Sequence, residues 1–146
     1  MSLSQSDVQQ ILNDNSKYIQ GDVTWRPDRQ HAQWLVFRVP VHSQFCGELY
    51  VKGSYNPSIP ALSYALILDS KCRIYALDLG KRHHNPDCTH VGPKHKHVWT
   101  DAHGDKWAYE PSDITADATK PADAWTQFCR EAKIHHRGRF ILRNPF

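Results

Sequence analysis

The first twenty residues place apolar side chains at helical intervals. Ser4 and Asp7 match a capping box at the start of this segment, and Gly21 provides a C-terminal stop. The pattern predicts a helix that ends near Gly21, with an apolar face made of Val8, Ile11, Leu12, Tyr18 and Ile19.

Beyond this segment the pattern changes to short runs of β-branched and aromatic residues bounded by turn signals. These runs predict strands at 34–39, 45–50, 64–68, 74–79, 95–100, 106–109 and 140–142. Pro40 is expected to end the first strand, and residues 54–58 have the composition of a turn. Asp69-Ser70-Lys71 lies between two strongly apolar runs and predicts a β-hairpin.

A second helix is predicted over residues 120–133. Pro121 suits the first helical turn, and one apolar face is formed by Trp125, Phe128, Cys129 and Ala132. The order of elements is therefore one helix, several strands connected by short turns, a second helix and a last strand. This order predicts one α+β domain over residues 1–146, an antiparallel sheet with an N-terminal and a C-terminal helix.

Composition limits the class of protein. The chain has 146 residues, of which 40% are hydrophobic and 23% charged, which is typical of a folded domain. No apolar run is long enough to cross a membrane, and the first ten residues lack the features of a secretory signal. We therefore expect a cytoplasmic protein with no membrane partner. Its cysteines are expected to be free thiols, with Cys46, Cys72 and Cys129 in the core and Cys88 undecided.

Six of the ten histidines fall between His83 and His103. His95 and His97 form an H-x-H pair, and residues two apart on a strand point to the same face of a sheet. The loop residues His83, Asn85 and Asp87 could fold back over that face, and Asp78 on the preceding strand is a further neighbour. Asn85-Pro86-Asp87 also has the composition of a tight turn.

This cluster allows three interpretations. Two imidazoles could act as general acid and base on a phosphodiester, with Arg82, Lys94 or Lys106 holding the phosphate. Alternatively, His95, His97 and a third ligand from His83, Asp87, Cys88 or His90 could hold a divalent metal such as zinc. In the third interpretation the side chains only connect a loop by hydrogen bonds.

Two further regions could contact a partner. Trp99, Trp107 and Tyr109 could stack against nucleic-acid bases or pack in the core. The segment 130–143 is basic, with Arg130, Lys133, His135, His136, Arg137, Arg139 and Arg143 against the single acid Glu131. Such a segment could bind phosphates or an acidic protein, or remain a solvated strand. The net charge of +3 is by itself a weak signal for nucleic acid.

The stretch from about Ala65 to Tyr109 resembles an uncharacterised bacterial family, a domain of unknown function. The matching pieces are Leu77-Asp78, His83-His84-Asn85-Pro86-Asp87, His95-Lys96-His97-Val98-Trp99 and Asp105-Lys106-Trp107-Ala108. His84 stands where arginine is usual, and Cys88 stands where glycine is usual. The resemblance implies no established activity. Members are similar to small proteins of bacteria and their mobile elements, which makes toxin–antitoxin and phage-defence or anti-defence roles expectations by analogy.

The sequence favours a small RNA-directed protein of this kind, a candidate toxin-type endoribonuclease that needs no cofactor. His83, His95, His97, Asp87 and Lys106 are the predicted catalytic residues. The alternative is a non-enzymatic inhibitor or accessory factor of a phage or plasmid that binds a protein or ribonucleoprotein, with a structural or zinc-binding histidine cluster. A metal-dependent hydrolase is the third hypothesis.

Overall fold

The computed structural model describes residues 3–44 and 47–143. Within them the chain forms two helices and thirteen strands. The helices are α1 (Gln5–Asn13) and α2 (Pro121–Ala132). The strands are β1 (Tyr18–Gln20), β2 (Val23–Thr24), β3 (Arg26–Pro27), β4 (Leu35–Val41), β5 (Leu49–Asn56), β6 (Ala61–Leu68), β7 (Cys72–Leu79), β8 (His83–His84), β9 (His90–Val91), β10 (Lys94–Val98), β11 (Ala108–Tyr109), β12 (His135–Arg137) and β13 (Phe140–Ile141).

A seven-stranded sheet with the order β11-β10-β7-β6-β5-β4-β3 organises the fold, and all its neighbouring strands are antiparallel. Strands β8 and β9 form a small antiparallel hairpin, while β12 and β13 pair in parallel with β1 and β2. The α+β class, the antiparallel sheet and the two helices near the chain ends are confirmed. No described helix has both the length and the apolar character that a membrane crossing needs.

The two sides of the sheet differ in burial. On one side, which we call the core face, Phe37, Tyr64 and Leu77 are almost completely buried, and Tyr64 packs against Trp125 and Phe128 of α2. On the other side, which we call the open face, exposure falls steadily from β4 to β10. The open face is formed by Arg26, Val36, Arg38, Pro40, Tyr50, Lys52, Ser54, Ser63, Ala65, Ala76, Asp78, His95 and His97.

Helix α1 has the predicted capping box, in which Ser4 and Asp7 bond each other's backbone N–H groups. The prediction that it continues to Gly21 is wrong, because the helix ends at Asn13. Lys17 is fully buried and donates to three carbonyl oxygens at this end, those of Ile11, Leu12 and Asp14. The apolar residues at 18 and 19 therefore belong to β1, which pairs with β12.

Several strand boundaries also differ from the prediction. Pro40 does not end β4, which runs to Val41. In the described sheet β3 pairs only with Leu35 and Val36, the first two residues of β4. Beyond Val36 this edge of β4 has no described partner strand, so Pro40, which lacks an N–H group, is tolerated there.

The second predicted strand starts four residues early, and the predicted turn at 54–58 lies largely within β5. Gly53 explains this, because its missing side chain admits the ring of Phe37 and so suits a strand rather than a turn. Phe45 and Cys46, included in the prediction, lie outside the described residues.

The hairpin of β6 and β7 is confirmed, and Asp69 and Ser70 adopt the positive φ angles that its tight turn requires. Strands β10, β11 and β13 are confirmed in shortened form. Helix α2 matches the prediction within one residue at each end. Among the predicted core thiols, Cys129 is buried and Cys72 is half-buried against the core, whereas Cys88 is exposed.

Candidate metal centre

The histidine cluster lies where β7 and β10 pair on the open face. The register places His95 opposite Asp78 and His97 opposite Ala76. Paired residues in an antiparallel sheet point to the same side, so both imidazoles and the Asp78 carboxylate converge. All three side chains are buried, with residue exposures of 1% for His95, 3% for His97 and 6% for Asp78.

One carboxylate oxygen joins the two rings. Asp78 Oδ2 lies 3.1 Å from His95 Nε2 and 3.2 Å from His97 Nε2. The other oxygen, Oδ1, accepts a short hydrogen bond from the hydroxyl of Ser63 on β6. Ser63 therefore fixes the carboxylate so that Oδ2 faces the imidazoles.

The opposite nitrogen of each ring is already engaged. His95 Nδ1 lies 3.0 Å from the carbonyl oxygen of Gly92, and His97 Nδ1 lies 2.9 Å from that of Asp105. A carbonyl only accepts, so each Nδ1 must carry the proton. In the neutral rings, both Nε2 atoms then turn lone pairs toward a carboxylate. These lone pairs repel one another unless a proton or a cation lies among them.

His83, on β8, completes a triad of rings. Its ring centroid lies 5.5 Å from that of His95 and 4.7 Å from that of His97, and the latter two are 5.0 Å apart. His83 Nε2 donates to the carbonyl oxygen of Lys106 at 2.8 Å, so its lone pair is on Nδ1. Each of the three rings offers one ligand atom, and these atoms lie within 4.8 Å of one another.

These distances suit a small divalent cation. Ligand atoms about 2.0–2.1 Å from a tetrahedral zinc ion are separated by about 3.3 Å. The separations of 3.1 and 3.2 Å between Asp78 Oδ2 and the two Nε2 atoms are close to that value. Metal-bound histidines also usually donate their other N–H to a carbonyl or carboxylate. His95 and His97 do so here, since each donates Nδ1–H to a backbone carbonyl.

Burial and hydrogen bonding oppose each other at the carboxylate. Burial disfavours the charged form of Asp78, but the two histidine rings and the hydrogen bond from Ser63 outweigh it and hold the pKa of this carboxyl well below its usual value. Burial is also the main reason that the pKa of His83 is lowered, with the hydrogen bond to the Lys106 carbonyl acting against it. The centre is therefore built around an ionised carboxylate.

Asn85 attaches the hairpin of β8 and β9 to the sheet. Its Nδ2 donates to the carbonyl oxygen of Ala108 at 2.8 Å, and its Oδ1 accepts from the N–H of Ala108 at 2.7 Å. These two bonds have the pattern of a further pair of backbone hydrogen bonds next to β11. Asn85 thus positions His83, two residues earlier, rather than facing the three rings itself.

Asp87 and Lys106 differ in their relation to the centre. The exposed Asp87 carboxylate accepts hydrogen bonds from the hydroxyl and the N–H of Thr89 at the hairpin tip, which lower its pKa. It is not among the described groups that converge with the three rings. Lys106 lies beside His83 through its carbonyl, and its side chain is exposed. Of the other candidate cations, Arg82 is exposed, whereas Lys94 bonds the carbonyl of Ile114.

The aromatic candidates have separate environments. Trp99 packs against the core, and its indole N–H donates to the carbonyl of Leu3. Trp107 stacks on His103 with ring centroids 5.3 Å apart, and Tyr109 is exposed. Trp99 therefore packs in the core rather than offering a stacking surface. One face of the Trp107 ring is covered by His103.

The basic C-terminal segment lies on the other side of the sheet. Phe140 packs against Trp25 and Trp125, and Trp25 in turn contacts Phe37 on the core face. Two cations of the segment have partners, since Arg139 pairs with Asp22 and Arg137 lies over the Tyr18 ring. The segment and the histidine centre are therefore separate features.

The structure adds two residues to the site predicted from sequence. Asp78 was named only as a neighbour, yet it is the group that both His95 and His97 face. An acidic residue between Leu77 and Leu79, in an otherwise apolar run, is a signal that could have identified it. Ser63 carried no such signal, because an isolated serine in a strand is common.

Comparison with known proteins gives one match. The model of a family of unknown function, DUF6978, matches residues 3–134. No curated protein and no solved structure matches the chain. The matched region contains both helices, the seven-stranded sheet and the whole histidine centre. The chain belongs to the family of unknown function DUF6978.

Proposed function

We propose that this chain is a zinc-dependent hydrolase directed at RNA, in which Asp78, His95 and His97 hold the metal. The observation that carries the proposal is the orientation of the two imidazoles. Both commit Nδ1–H to a carbonyl and aim Nε2 at the same carboxylate oxygen. A divalent cation at that point would be bound by the Nε2 lone pairs and the carboxylate oxygen, which otherwise repel one another.

Burial favours a metal over direct proton exchange by His95 and His97. Both rings are at least 97% buried, so a 2′-hydroxyl or a leaving 5′-oxygen cannot reach them as it reaches an exposed catalytic pair. His83 is half-buried and is the ring of the three that solvent reaches. Substrate would therefore approach from the side of His83.

A zinc ion held by these residues would lower the pKa of a bound water and polarise a phosphoryl oxygen. His83 Nδ1 carries a lone pair and would accept a proton from the attacking water. His83 would return that proton to the leaving 5′-oxygen as the water oxygen replaces it on phosphorus. Lys106, whose backbone carbonyl bonds His83 and whose side chain is exposed, would bind the phosphate.

The test uses protein purified without a histidine tag. Its zinc content is measured, the metal is removed with a chelator, and cleavage of labelled single-stranded RNA is followed before and after zinc is restored. We expect the parent to bind one zinc per chain and to cleave RNA only with zinc present. His95→Ala/His97→Ala should lose both zinc binding and cleavage. The control, His31→Ala/His103→Ala, removes two exposed histidines outside the centre and should keep both. A parent protein that binds no zinc would refute the proposal.

The same variants address a toxin role. If the RNA-directed activity belongs to a bacterial toxin, expression of the parent chain slows growth, and His95→Ala/His97→Ala relieves the effect. Equal growth inhibition by both proteins would disconnect any toxicity from this centre.

A second candidate is a non-enzymatic binding protein in which the metal only braces the fold. The grouping of the three rings favours it, since ligand atoms of His83, His95 and His97 lie within 4.8 Å of one another and His83 could then be a ligand rather than a base. His83→Ala separates the two. In the hydrolase, zinc remains and cleavage is lost, whereas in the braced protein zinc affinity itself falls sharply.

A further inference from the structure

We infer that the open face of the sheet is a binding surface for single-stranded nucleic acid that leads into the metal centre. The inference rests on the proposed function for the fate of the bound strand, while binding itself needs no metal. The cations of this face, its aromatic rings and its small residues each support it.

The cations lie in register with the centre. Arg38 pairs with Lys52 across β4 and β5, Lys52 with Ala65, Ala65 with Ala76, and Ala76 with His97. Strands are about 4.8 Å apart, so Lys52 lies about 14 Å and Arg38 about 19 Å from the β10 strand. Arg26 on β3 faces the same side, and all three cations are exposed.

Acidic groups are rare on this face. Across the described strands of the seven-stranded sheet, Asp78 is the single acidic residue that points to this side, and the centre engages it. Asp28 lies at the β3 end, where the backbone N–H of Gln30 and, to a smaller extent, His31 and the charge of Lys52 lower its pKa. Glu48, just before β5, lies with Arg38 and Tyr50 around one cavity. The three exposed cations of β3, β4 and β5 outnumber Asp28 and Glu48, which suits a polyanion.

Two aromatic rings adjoin these cations. The Arg38 guanidinium lies 3.8 Å from the centroid of the Tyr50 ring. Lys81, in the loop that follows Asp78, places Nζ 5.3 Å from the centroid of the Trp34 ring. Both rings are partly exposed. Nucleic-acid bases stack on aromatic rings and on guanidinium planes, which an acidic protein segment does not require.

The space between the cations and the centre is lined by small residues. Ser63 and Ala65 on β6 lie between Lys52 and β7, and Ser54 lies beside Lys52 on β5. Ser54 and Ser63 are partly exposed. At β7 the face closes, because His83 and the carbonyls of Asp105 and Lys106 lie against the rings of β10. A strand lying on this track would therefore end at the half-buried ring of His83.

The experiment measures binding of fluorescein-labelled oligouridylate, oligothymidylate and a short duplex by anisotropy, with chelator present. The test variant is Arg38→Glu/Lys52→Glu. The matched control is Lys120→Glu/Arg130→Glu, which makes the same charge change at exposed positions of α2 and its N-cap. All four substituted side chains are exposed, so thermal unfolding should show intact folds.

We expect the parent to prefer single strands over the duplex. The test variant should lose at least tenfold in affinity, while the control loses less than threefold. Because each phosphate contact on a single strand contributes about 0.7 to the slope of log affinity against log salt, the test variant should lower that slope by about 1.4. A preference of oligouridylate over oligothymidylate would identify RNA as the natural strand.

Three outcomes would overturn the inference. These are no binding of single strands by the parent, equal losses in both double variants, and binding of a polyglutamate peptide as tight as that of the oligonucleotides. Zinc content is measured on the same samples. If Arg38→Glu/Lys52→Glu keeps its zinc but loses RNA, the surface is supported separately from the metal. If the parent binds RNA but no zinc, only the proposed function fails.

Discussion

The two faces of strand β10 bury polar side chains in opposite ways. On the open face, His95 and His97 turn lone pairs toward the Asp78 carboxylate. On the core face, Lys96 places its ammonium 2.9 Å from Asp113 and 3.2 Å from Glu131, with its side chain only 3% exposed. The Lys96 ammonium is as deeply buried as the two imidazoles, although its partners Asp113 and Glu131 are partly exposed. The Lys96 cluster has a cation of its own.

The difference lies in the balance of donors and acceptors. The Lys96 ammonium donates to both carboxylate oxygens of Asp113 and forms an ion pair with Glu131, which shares a hydrogen bond with Asp113. Burial and the neighbouring Asp113 raise the pKa of Glu131. Around Asp78 the two imidazoles donate Nδ1–H to carbonyls and face the carboxylate with Nε2, so that contact needs a proton or a cation of its own. A buried polar group without a partner destabilises the fold. The Lys96 cluster already has its partners, whereas the histidine centre would be stabilised by a bound cation.

The largest expected effect is the linkage between zinc and stability. Zinc at 1,000 times its dissociation constant should raise the free energy of unfolding of the chelated protein by about 4 kcal/mol, because the ion binds only the folded arrangement. Urea unfolding with and without zinc measures this. Lys96→Met should keep the response and His97→Ala should lose it. A zinc response that survives in His97→Ala would remove the distinction between the two faces.

A smaller effect is expected from the residue that positions His83. Asn85→Ala removes two buried hydrogen bonds to Ala108, and we expect a loss of about 2–3 kcal/mol in the free energy of unfolding. Zinc affinity should also fall about 10–100-fold, as for other residues that orient metal ligands. A competition assay with a chelator measures the affinity.

The control for Asn85 is Asp87→Ala, two residues away on the same hairpin. Asp87 is exposed and bonds only within the turn, to Thr89, so zinc affinity and RNA cleavage should stay at parent values. Loss of cleavage in this variant, with zinc retained, would restore Asp87 to the catalytic role that the sequence suggested.

The smallest effect concerns the pH dependence of the Lys96 cluster. Hydrogen bonds from Glu131 and Lys96 lower the pKa of Asp113 from 3.8 to about 2. A carboxyl whose pKa is lowered by folding stabilises the protein above pH 3.8 and loses that contribution as the pH falls toward 2. Asp113 is half exposed, so solvent screening reduces the contribution to about 1 kcal/mol.

Lys96→Met should flatten the loss of stability between pH 4 and 2, measured by urea unfolding at each pH. Glu131 acts with the opposite sign in a separate window above pH 4.5, because its pKa is raised. An unchanged acid profile in Lys96→Met would mean that the ammonium does not determine the titration of Asp113.

Much of the fold could be predicted from local pattern. The hairpin of β6 and β7 and helix α2 were predicted because each combines a clear period with its own turn or cap residues. The region before Leu49 was predicted less well. There the end of α1 depends on Lys17, and the length of β5 depends on the fit of Gly53 against Phe37, which are contacts between separate segments.

The candidate site shows the same division. The sequence identified His83, His95 and His97, and the structure brings these three rings together. Lys106, also identified, contacts His83 through its backbone carbonyl. It also suggested Asp87, which bonds within its own turn, and the basic C-terminal segment, which lies across the core face. Local spacing cannot distinguish a residue that faces the centre from one that closes a turn beside it.

The sequence by itself determined that His95 and His97 share one face, because a strand repeats every two residues and any sheet keeps that alternation. Only the tertiary structure decided what the two rings meet there. The register of β7 against β10 brings in Asp78, and the carbonyls of Gly92, Asp105 and Lys106 fix which nitrogen of each ring carries its proton. Those partners come from separate segments, so their chemistry is set by packing rather than by spacing along the chain.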